Sequence, residues 1–285
     1  MHDRAQIAEA VRRVVAAALE EDLGSAGDIT TDAVIPGDRA AVGHLVARQP
    51  LIVAGVVAAR EVFRQLDPTL GFVARRADGD AAHAGERLAT VTGTARPILR
   101  GERTALNLMM RMSGIANLAR RAVEEIAGTG ARILDTRKTA PGLRILDKLA
   151  VALGGAENHR TGLFDAVMIK DSHLALVDSI SDAVARILDR GIAKELVTVE
   201  VRTLRQLDEA IAAGAGRALL DNMSLEETRR AVERGKGRIV LEASGGLRPG
   251  RLRAVAETGV DFLSVGFLTH SVEAADVAME VGLVS

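Results

Sequence analysis

The sequence predicts an α/β protein in which a mixed α and β segment of about a hundred residues precedes a run of parallel β/α units. Three observations carry this expectation. From residue 131 onward, short apolar stretches recur at a spacing of roughly 20–35 residues, with helical periodicity between most of them. Before residue 97, β-like runs are bounded by turn residues and lack that alternation. Between the two regions, Pro97–Ala127 reads as one long helix, and the domain boundary falls inside or beside it.

In order, a helix is expected near Ala5–Glu20, followed by a Gly/Asp/Thr-rich segment at Gly24–Thr31. Strands follow at Ala41–Ala47, Gly71–Ala74 and Arg87–Thr92, with a helix at Val56–Gln65. Pro50, Asp78-Gly79 and Gly85 supply the turns between them. In the long helix, Ala105, Leu106, Leu108, Met109, Met112 and Ile115 keep one apolar face, and the methionines read as core filler. The later strands are Arg132–Asp135, Ala166–Lys170, Val197–Val201, Ala218–Asp221, Arg238–Glu242 and Phe262–Val265. Helices at Ser181–Arg190, Leu204–Ala213, Leu225–Arg234 and Arg251–Glu257 separate them. Right-handed crossovers leave a barrel or an open wound sheet.

Composition narrows the function. The chain of 285 residues has a net charge of −1, with no Trp, no Tyr and 5 Phe, so neither a basic footprint nor rings for base stacking favour nucleic acid. Without cysteine, disulfides, thiolate metal sites and Cys nucleophiles are excluded. The longest apolar run, Leu51–Ala59, is too short to span a bilayer. The N-terminus is amphipathic and acidic, unlike a signal peptide, so a cytoplasmic protein is expected. Only five of the 37 basic residues are lysines, and Lys138 is the first of them. A chain so rich in Arg keeps Lys where a compact ammonium is needed, which singles out Lys138 and Lys170; Lys194 and Lys236 read as surface residues.

The predicted strands all end in polar residues: Asp135 to Lys138, Lys170-Asp171, Glu200, Asp221-Asn222, Glu242 to Gly246, and Ser264 to Gly266. In a β/α barrel those ends converge on one mouth, so six in register define a site. Lys138 and Lys170, with Arg137, Arg144 and Arg160 nearby in sequence, suit more than one anionic group. Ser244 with Gly245 and Gly246 lets backbone N–H groups approach a phosphate. Glu200 and Asp221 are oxygen ligands suited to Mg²⁺ beside substrate phosphates. The alternative for these carboxylates is a salt-bridge network with the lysines. The pattern points to a polyphosphorylated substrate, Mg²⁺ and a second, acidic partner.

Longer runs carry a resemblance. Asp135-Thr136-Arg137-Lys138-Thr139-Ala140-Pro141-Gly142-Leu143-Arg144, Gly154-Gly155-Ala156-Glu157-Asn158-His159-Arg160 and Ile169-Lys170-Asp171-Ser172-His173 resemble the quinolinate phosphoribosyltransferases. Val199-Glu200-Val201, Leu220-Asp221-Asn222, Glu242-Ala243-Ser244-Gly245-Gly246 and Ser264-Val265-Gly266-Phe267-Leu268-Thr269-His270-Ser271 extend the likeness, and Glu21-Asp22-Leu23-Gly24, Gly27 to Thr31 and Glu102-Arg103-Thr104 carry it to the N-terminal part.

The resemblance implies an incomplete, seven-stranded-type β/α barrel at 111–270. It also implies an open-faced α/β sandwich at 1–110, with 271–285 packing on that domain. It implies phosphoribosyl transfer from 5-phosphoribosyl 1-diphosphate (PRPP) to quinolinate with decarboxylation, giving nicotinate mononucleotide, pyrophosphate and CO₂ for NAD biosynthesis. By the matching motifs, Arg137, His159 and Arg160, with Arg103 from the second protomer of a homodimer, hold the two carboxylates of quinolinate. Lys138 and Lys170 contact carboxylate or PRPP oxygens. Glu200 and Asp221 bind ribose hydroxyls and Mg²⁺. Ser244, Gly245, Gly246 and Gly266 cradle the 5-phosphate, and Thr136, Val265 and Phe267 complete the substrate contacts. Lys138, Lys170, Glu200 and Asp221 are the expected catalytic residues.

Ser172, Leu149 and Ala156 depart from the family pattern, in which Asn, Tyr and Gly are usual. Rival readings are a molybdenum-transport-associated homologue on the same scaffold, an aldolase using Lys170 as a Schiff base, and a binding protein without catalysis. Each leaves unused part of the set Arg137, Lys138, His159, Arg160, Glu200 and Asp221.

Overall fold

A computed structural model describes residues 3–284; the ends of the expected domains at 1–2 and 285 lie outside the described residues. Helix α1 (Arg4–Leu23) starts at a capping box, in which Asp3 accepts from the Ala5 amide and Gln6 reaches back to the Asp3 amide. Its buried Val11, Val15 and Leu19 recur every four residues along one face. The Gly/Asp/Thr-rich segment leads into a short helix that was not expected: Asp28 accepts from the Thr31 amide and caps α2 (Ile29–Val34). Then come β1 (Ala40–Ala47), β2 (Leu51–Ile52), α3 (Val56–Leu66), β3 (Gly71–Ala74), β4 (Ala81–Ala82) and β5 (Arg87–Thr94). Helix α4 (Ala95–Glu125) carries Pro97 in its first turn, where no intrahelical bond is lost. The apolar face read from the sequence is buried from Ala105 to Ile115.

The second half runs through β6 (Arg132–Leu134), α5 (Arg144–Leu153), β7 (Val167–Ile169), α6 (Asp171–Leu174), α7 (Ile180–Leu188) and β8 (Val197–Val201). It continues with α8 (Leu204–Ala212), β9 (Arg217–Asp221), α9 (Leu225–Gly235), β10 (Val240–Ser244), α10 (Leu252–Ala256), β11 (Phe262–Ser264), α11 (Phe267–His270) and β12 (Val277–Leu283). Ser179, Thr203 and Ser224 cap α7, α8 and α9, which fixes each helix start just after a strand or turn. β10 begins two residues later than expected, because the Arg238 and Ile239 amides still bond to the Gly235 carbonyl.

The chain divides into two compact units. One comprises the residues up to Arg120, Thr139–Gly155 and the residues from Thr269 on; the other comprises Arg121–Lys138 and Ala156–Leu268. The division falls within α4 but, unlike the unbroken stretches 1–110 and 111–270, assigns α5 to the first unit. That unit has an antiparallel sheet in the order β12-β1-β5-β3, in which β12 pairs along β1 from Ala47 to Ala41. Alternate burial along β1 turns one face to the core, and His44 on the other face lies 3.2 Å from Thr90 Oγ1 on β5. A second pairing, β2 with β4, is antiparallel too.

The other unit holds a six-stranded parallel sheet in the order β6-β11-β10-β9-β8-β7. Its interior is the near-continuous apolar lining such sheets need, including Val197, Val199, Val201, Ala218, Leu220, Leu241 and Leu263. Seven strands were expected. The sheet has six, and at the outer side of β6 a single parallel bridge, Leu134 to Glu157, takes the next position.

Local stability in the first unit depends on a distant carboxylate. Gly55 precedes α3 and offers no side chain, so Asp78 accepts from the Val56 and Val57 amides at 2.8 and 3.2 Å instead. Burial pushes the Asp78 carboxyl above the ordinary aspartate range despite these bonds. Asp78→Ala is expected to lower unfolding stability by about 2 kcal/mol by leaving two amides unpaired. A group whose folded value is raised stabilises most below its unfolded value and loses that contribution as pH rises through the folded value. The deficit of Asp78→Ala should therefore be largest in mild acid and shrink towards neutrality. Denaturant melts across that range check both the size and the sign.

Candidate active site

The C-terminal ends of the parallel strands surround a cavity of about 300 Å³ in the second unit. Thr136, Arg137, Lys138, His159, Arg160, Lys170, Glu200, Asp221 and Ser244 line it. Met168, Leu219, Glu242 and Ser264 complete the wall. Nine of the residues expected from sequence thus meet in one place.

The cationic side is under strain. Burial, and then the neighbouring Arg137 charge, hold the Arg160 guanidinium below its usual range, with Asp165 partly opposing them. Arg160 Nη1 donates to the Ala166 carbonyl at 3.2 Å. Arg137 Nε is buried and makes no hydrogen bond among the described residues. Two like-charged forks beside one cavity, one of them incompletely paired, have the chemistry to receive carboxylates in a planar, bidentate way. Thr136 Oγ1 accepts from the Lys138 amide at 3.1 Å, so it shapes the turn carrying both cations.

Carboxylates cluster at the ends of β8 and β9. Burial and then Asp221 and Asp171 push the Glu200 carboxyl above the usual glutamate range. Arg202 pairs with Asp171 at 2.5 Å and with Asp221 at 3.1 Å, and Asn222 Nδ2 donates to the other Asp221 oxygen at 2.9 Å. No group of three His, Asp or Glu side chains suited to a metal exists among the described residues. Two carboxylates on adjacent strand ends nevertheless fit Mg²⁺, which takes one or two carboxylates and completes its shell with water and substrate oxygens.

At the end of β10, Gly245 and Gly246 have φ of +92° and +61°, and a Cβ on Gly245 would collide with the Asn222 side chain. Asn222 itself has φ +56° and donates its amide to the Ser244 carbonyl at 2.9 Å. Glycine at 245 is therefore a steric requirement of this rim.

Comparison with known proteins places this geometry. The C-terminal domain of quinolinate phosphoribosyl transferase matches residues 115–280, and the N-terminal domain matches 28–113. The chain belongs to the quinolinate phosphoribosyltransferase family. It is 43% identical over 279 residues to the nicotinate-nucleotide pyrophosphorylase [carboxylating] of Mycobacterium leprae, covering 96% of this chain and 98% of that one. It is 41% identical over 263 residues to the probable enzyme of that name from Bacillus subtilis, covering 92% and 90%. The solved structure of the nicotinate-nucleotide pyrophosphorylase from Francisella tularensis superposes with a TM-score of 0.91 at 38% identity, covering 96% and 97%.

Within this quinolinate phosphoribosyltransferase fold, some expected residues lie off the cavity wall. Val265 is fully buried and its amide donates to the Leu134 carbonyl at 2.9 Å, so it seats β11 against β6. Gly266 and Phe267, both half-buried, follow it into α11. Arg103 is exposed on α4 in the first unit and does not line the cavity. Arg144 lies in the first unit too, on a cleft of about 830 Å³ with Arg13 and Glu21, and its Nε donates to Thr139 Oγ1 at 3.1 Å. Sequence reading missed Arg202 and, though it placed both Asp135 and Glu242 at strand ends, gave neither a part of its own. The available signal for Glu242 was a charge inside an apolar strand.

Proposed function

We propose that this enzyme transfers the phosphoribosyl group of PRPP to quinolinate and releases CO₂ and pyrophosphate, forming nicotinate mononucleotide. The observation that carries the assignment is the Arg137–Arg160 pair, whose mutual repulsion and open Arg137 Nε call for a dianion bearing two adjacent carboxylates. The pyridine nitrogen displaces pyrophosphate at the anomeric carbon through a transition state of oxocarbenium character. The ring nitrogen is then cationic and takes up the electron pair as the adjacent carboxylate leaves as CO₂, and a proton replaces it.

In this reading Arg137 and Arg160 orient quinolinate, with Arg103 supplied by a second copy of the chain in a cytoplasmic homodimer. Lys138 and Lys170, both exposed at the cavity, offset charge on the departing pyrophosphate. Ser244, Gly245, Gly246 and Gly266 receive the 5-phosphate. Glu200 and Asp221 hold the ribose hydroxyls and would hold Mg²⁺. When bound, the ion supplies positive charge beside the pyrophosphate. The parallel sheet, with its bridge at Glu157, is an incomplete barrel open beside β7, and the antiparallel sheet belongs to an open-faced sandwich.

Purified protein given quinolinate, PRPP and Mg²⁺ should release CO₂ and nicotinate mononucleotide in equal amounts, and EDTA should stop both. Turnover of nicotinate equal to or better than that of quinolinate would sink the assignment.

A further inference from the structure

Glu242 is a cavity-wall residue with no part in the reaction just described. It stands in the middle of β10 and is fully buried, where a parallel sheet otherwise holds apolar side chains. Such a carboxylate is retained only with close partners. Arg217 Nη1 donates to Oε2 at 3.1 Å, Ser264 Oγ donates to Oε1, and His159 Nε2 lies 3.4 Å from Oε2. Burial alone would raise the carboxyl, but His159, Ser264 and Arg217 together hold it below the ordinary range.

His159 is gripped from its other side as well. Its Nδ1 accepts from the Arg160 amide at 2.6 Å, and its own amide donates to Asp135 Oδ1 at 2.8 Å. Asp135 is fully buried, and its second oxygen accepts from Asn158 Nδ2 at 2.8 Å. A ring nitrogen that accepts carries no proton, so the imidazole proton sits on Nε2 and faces Glu242. Nδ1 is thus held by the main chain, whereas Nε2, 3.4 Å from Glu242 Oε2, makes no hydrogen bond among the described residues and lies at the cavity wall, where the resemblance to the family placed a substrate carboxylate.

We propose that Glu242 and His159 are a positioning pair: Glu242 fixes the imidazole, and the imidazole fixes the main chain at Arg160, keeping that guanidinium beside Arg137 in the quinolinate site. The need for such a device follows from the charges. Burial and then the Arg137 charge both disfavour the Arg160 guanidinium where it stands, so its place depends on the groups that hold it. The Nδ1 bond pins the Arg160 amide directly, and the Ala166 carbonyl holds the guanidinium. This inference rests on reading the cavity as the quinolinate site.

Glu242→Gln keeps the volume and removes the charge. The expected result is a rise in KM for quinolinate of tenfold or more, with KM for PRPP within twofold of wild type. A role confined to core packing would lower the melting temperature and kcat without that selectivity. Nitrogen NMR of histidine-labelled protein, assigned with His159→Asn, should show an unprotonated Nδ1 and a protonated Nε2 at His159 in wild type. In Glu242→Gln the Arg160 amide still keeps Nδ1 unprotonated, so the tautomer should persist while the Nε2 resonance shifts. A wild-type His159 protonated on Nδ1 overturns the inference. So does a folded Glu242→Gln with both KM values unchanged or raised equally. If Glu242→Gln does not fold, the wild-type spectrum decides the tautomer, and Ser264→Ala, which keeps the charge, should give a smaller rise in the same KM alone; an unchanged KM would overturn the pairing. Wild-type protein that turns over no quinolinate would instead overturn the functional reading.

Discussion

Arg137→Met should lower kcat/KM for quinolinate by about 10²–10³ without lowering the melting temperature. Truncating one partner of a buried, hydrogen-bonded charge pair removes roughly 2–5 kcal/mol of binding, and each 1.4 kcal/mol is tenfold. What makes the prediction unusual is the sign of the stability effect. Loss of a half-buried arginine ordinarily destabilises, but Arg137 Nε has no partner among the described residues and its charge works against Arg160. Methionine retains much of the aliphatic packing and removes the repulsion. Arg137→Lys should fall between the two, because an ammonium keeps the charge but cannot match a carboxylate with a planar fork. Initial rates at saturating PRPP, paired with thermal melts, test the point. Unchanged KM for quinolinate would remove Arg137 from the site, and activity lost in step with the melting temperature would make its role structural.

The sequence made the second unit readable because its regularities are local. Parallel strands are apolar runs, helix starts carry Ser or Thr caps, and the polar residues at strand ends need only the alternation to be recognised as neighbours. Thus Lys170, Glu200, Asp221 and Ser244, which line one cavity, are recognisable as neighbours from sequence. Features that depend on pairing across the chain were not readable. Helix α5 escaped because Asp147 and Lys148, both fully buried, interrupt the apolar period by which a helix is found. Asp147 is accommodated by Arg111, at 2.9 and 2.7 Å, a partner 36 residues away. Strand β12 escaped because its register comes from β1 at the opposite end of the chain. Glu242 was read as a strand terminus because the turn at Gly235 runs two residues longer than its sequence suggests. That small shift changes a solvated cap into a buried charge, and with it the part Glu242 plays.

Glu200→Gln is expected to cut kcat by about 10²-fold or more, the scale on which preorganised electrostatic groups are felt, again with no fall in melting temperature. Glu200 and Asp221 stand on neighbouring parallel strands, but the fold treats them differently. Asp221 has Arg202 on one oxygen and Asn222 on the other, whereas among the described residues Glu200 forms no ion pair. Its carboxyl is raised by burial, then by Asp221 and Asp171, with Lys170 and Arg202 opposing only in part. Glutamine removes that repulsion, so the variant should be as stable as wild type or more so while its catalysis fails. Asp221→Asn should lose catalysis to a similar degree but also lose stability, because Arg202 is then left facing Asp171 alone and the β9 end loses its charged anchor. The two carboxylates are therefore separable by calorimetry even where kinetics cannot tell them apart. Arg137 beside Arg160, and Glu200 beside Asp221, are each like-charged neighbours on one cavity wall, the kind of arrangement that marks a functional site. Melts repeated with PRPP and Mg²⁺ should stabilise wild type well beyond Glu200→Gln. Equal stabilisation of both, together with wild-type kcat at every Mg²⁺ concentration, would show that Glu200 belongs to the fold alone.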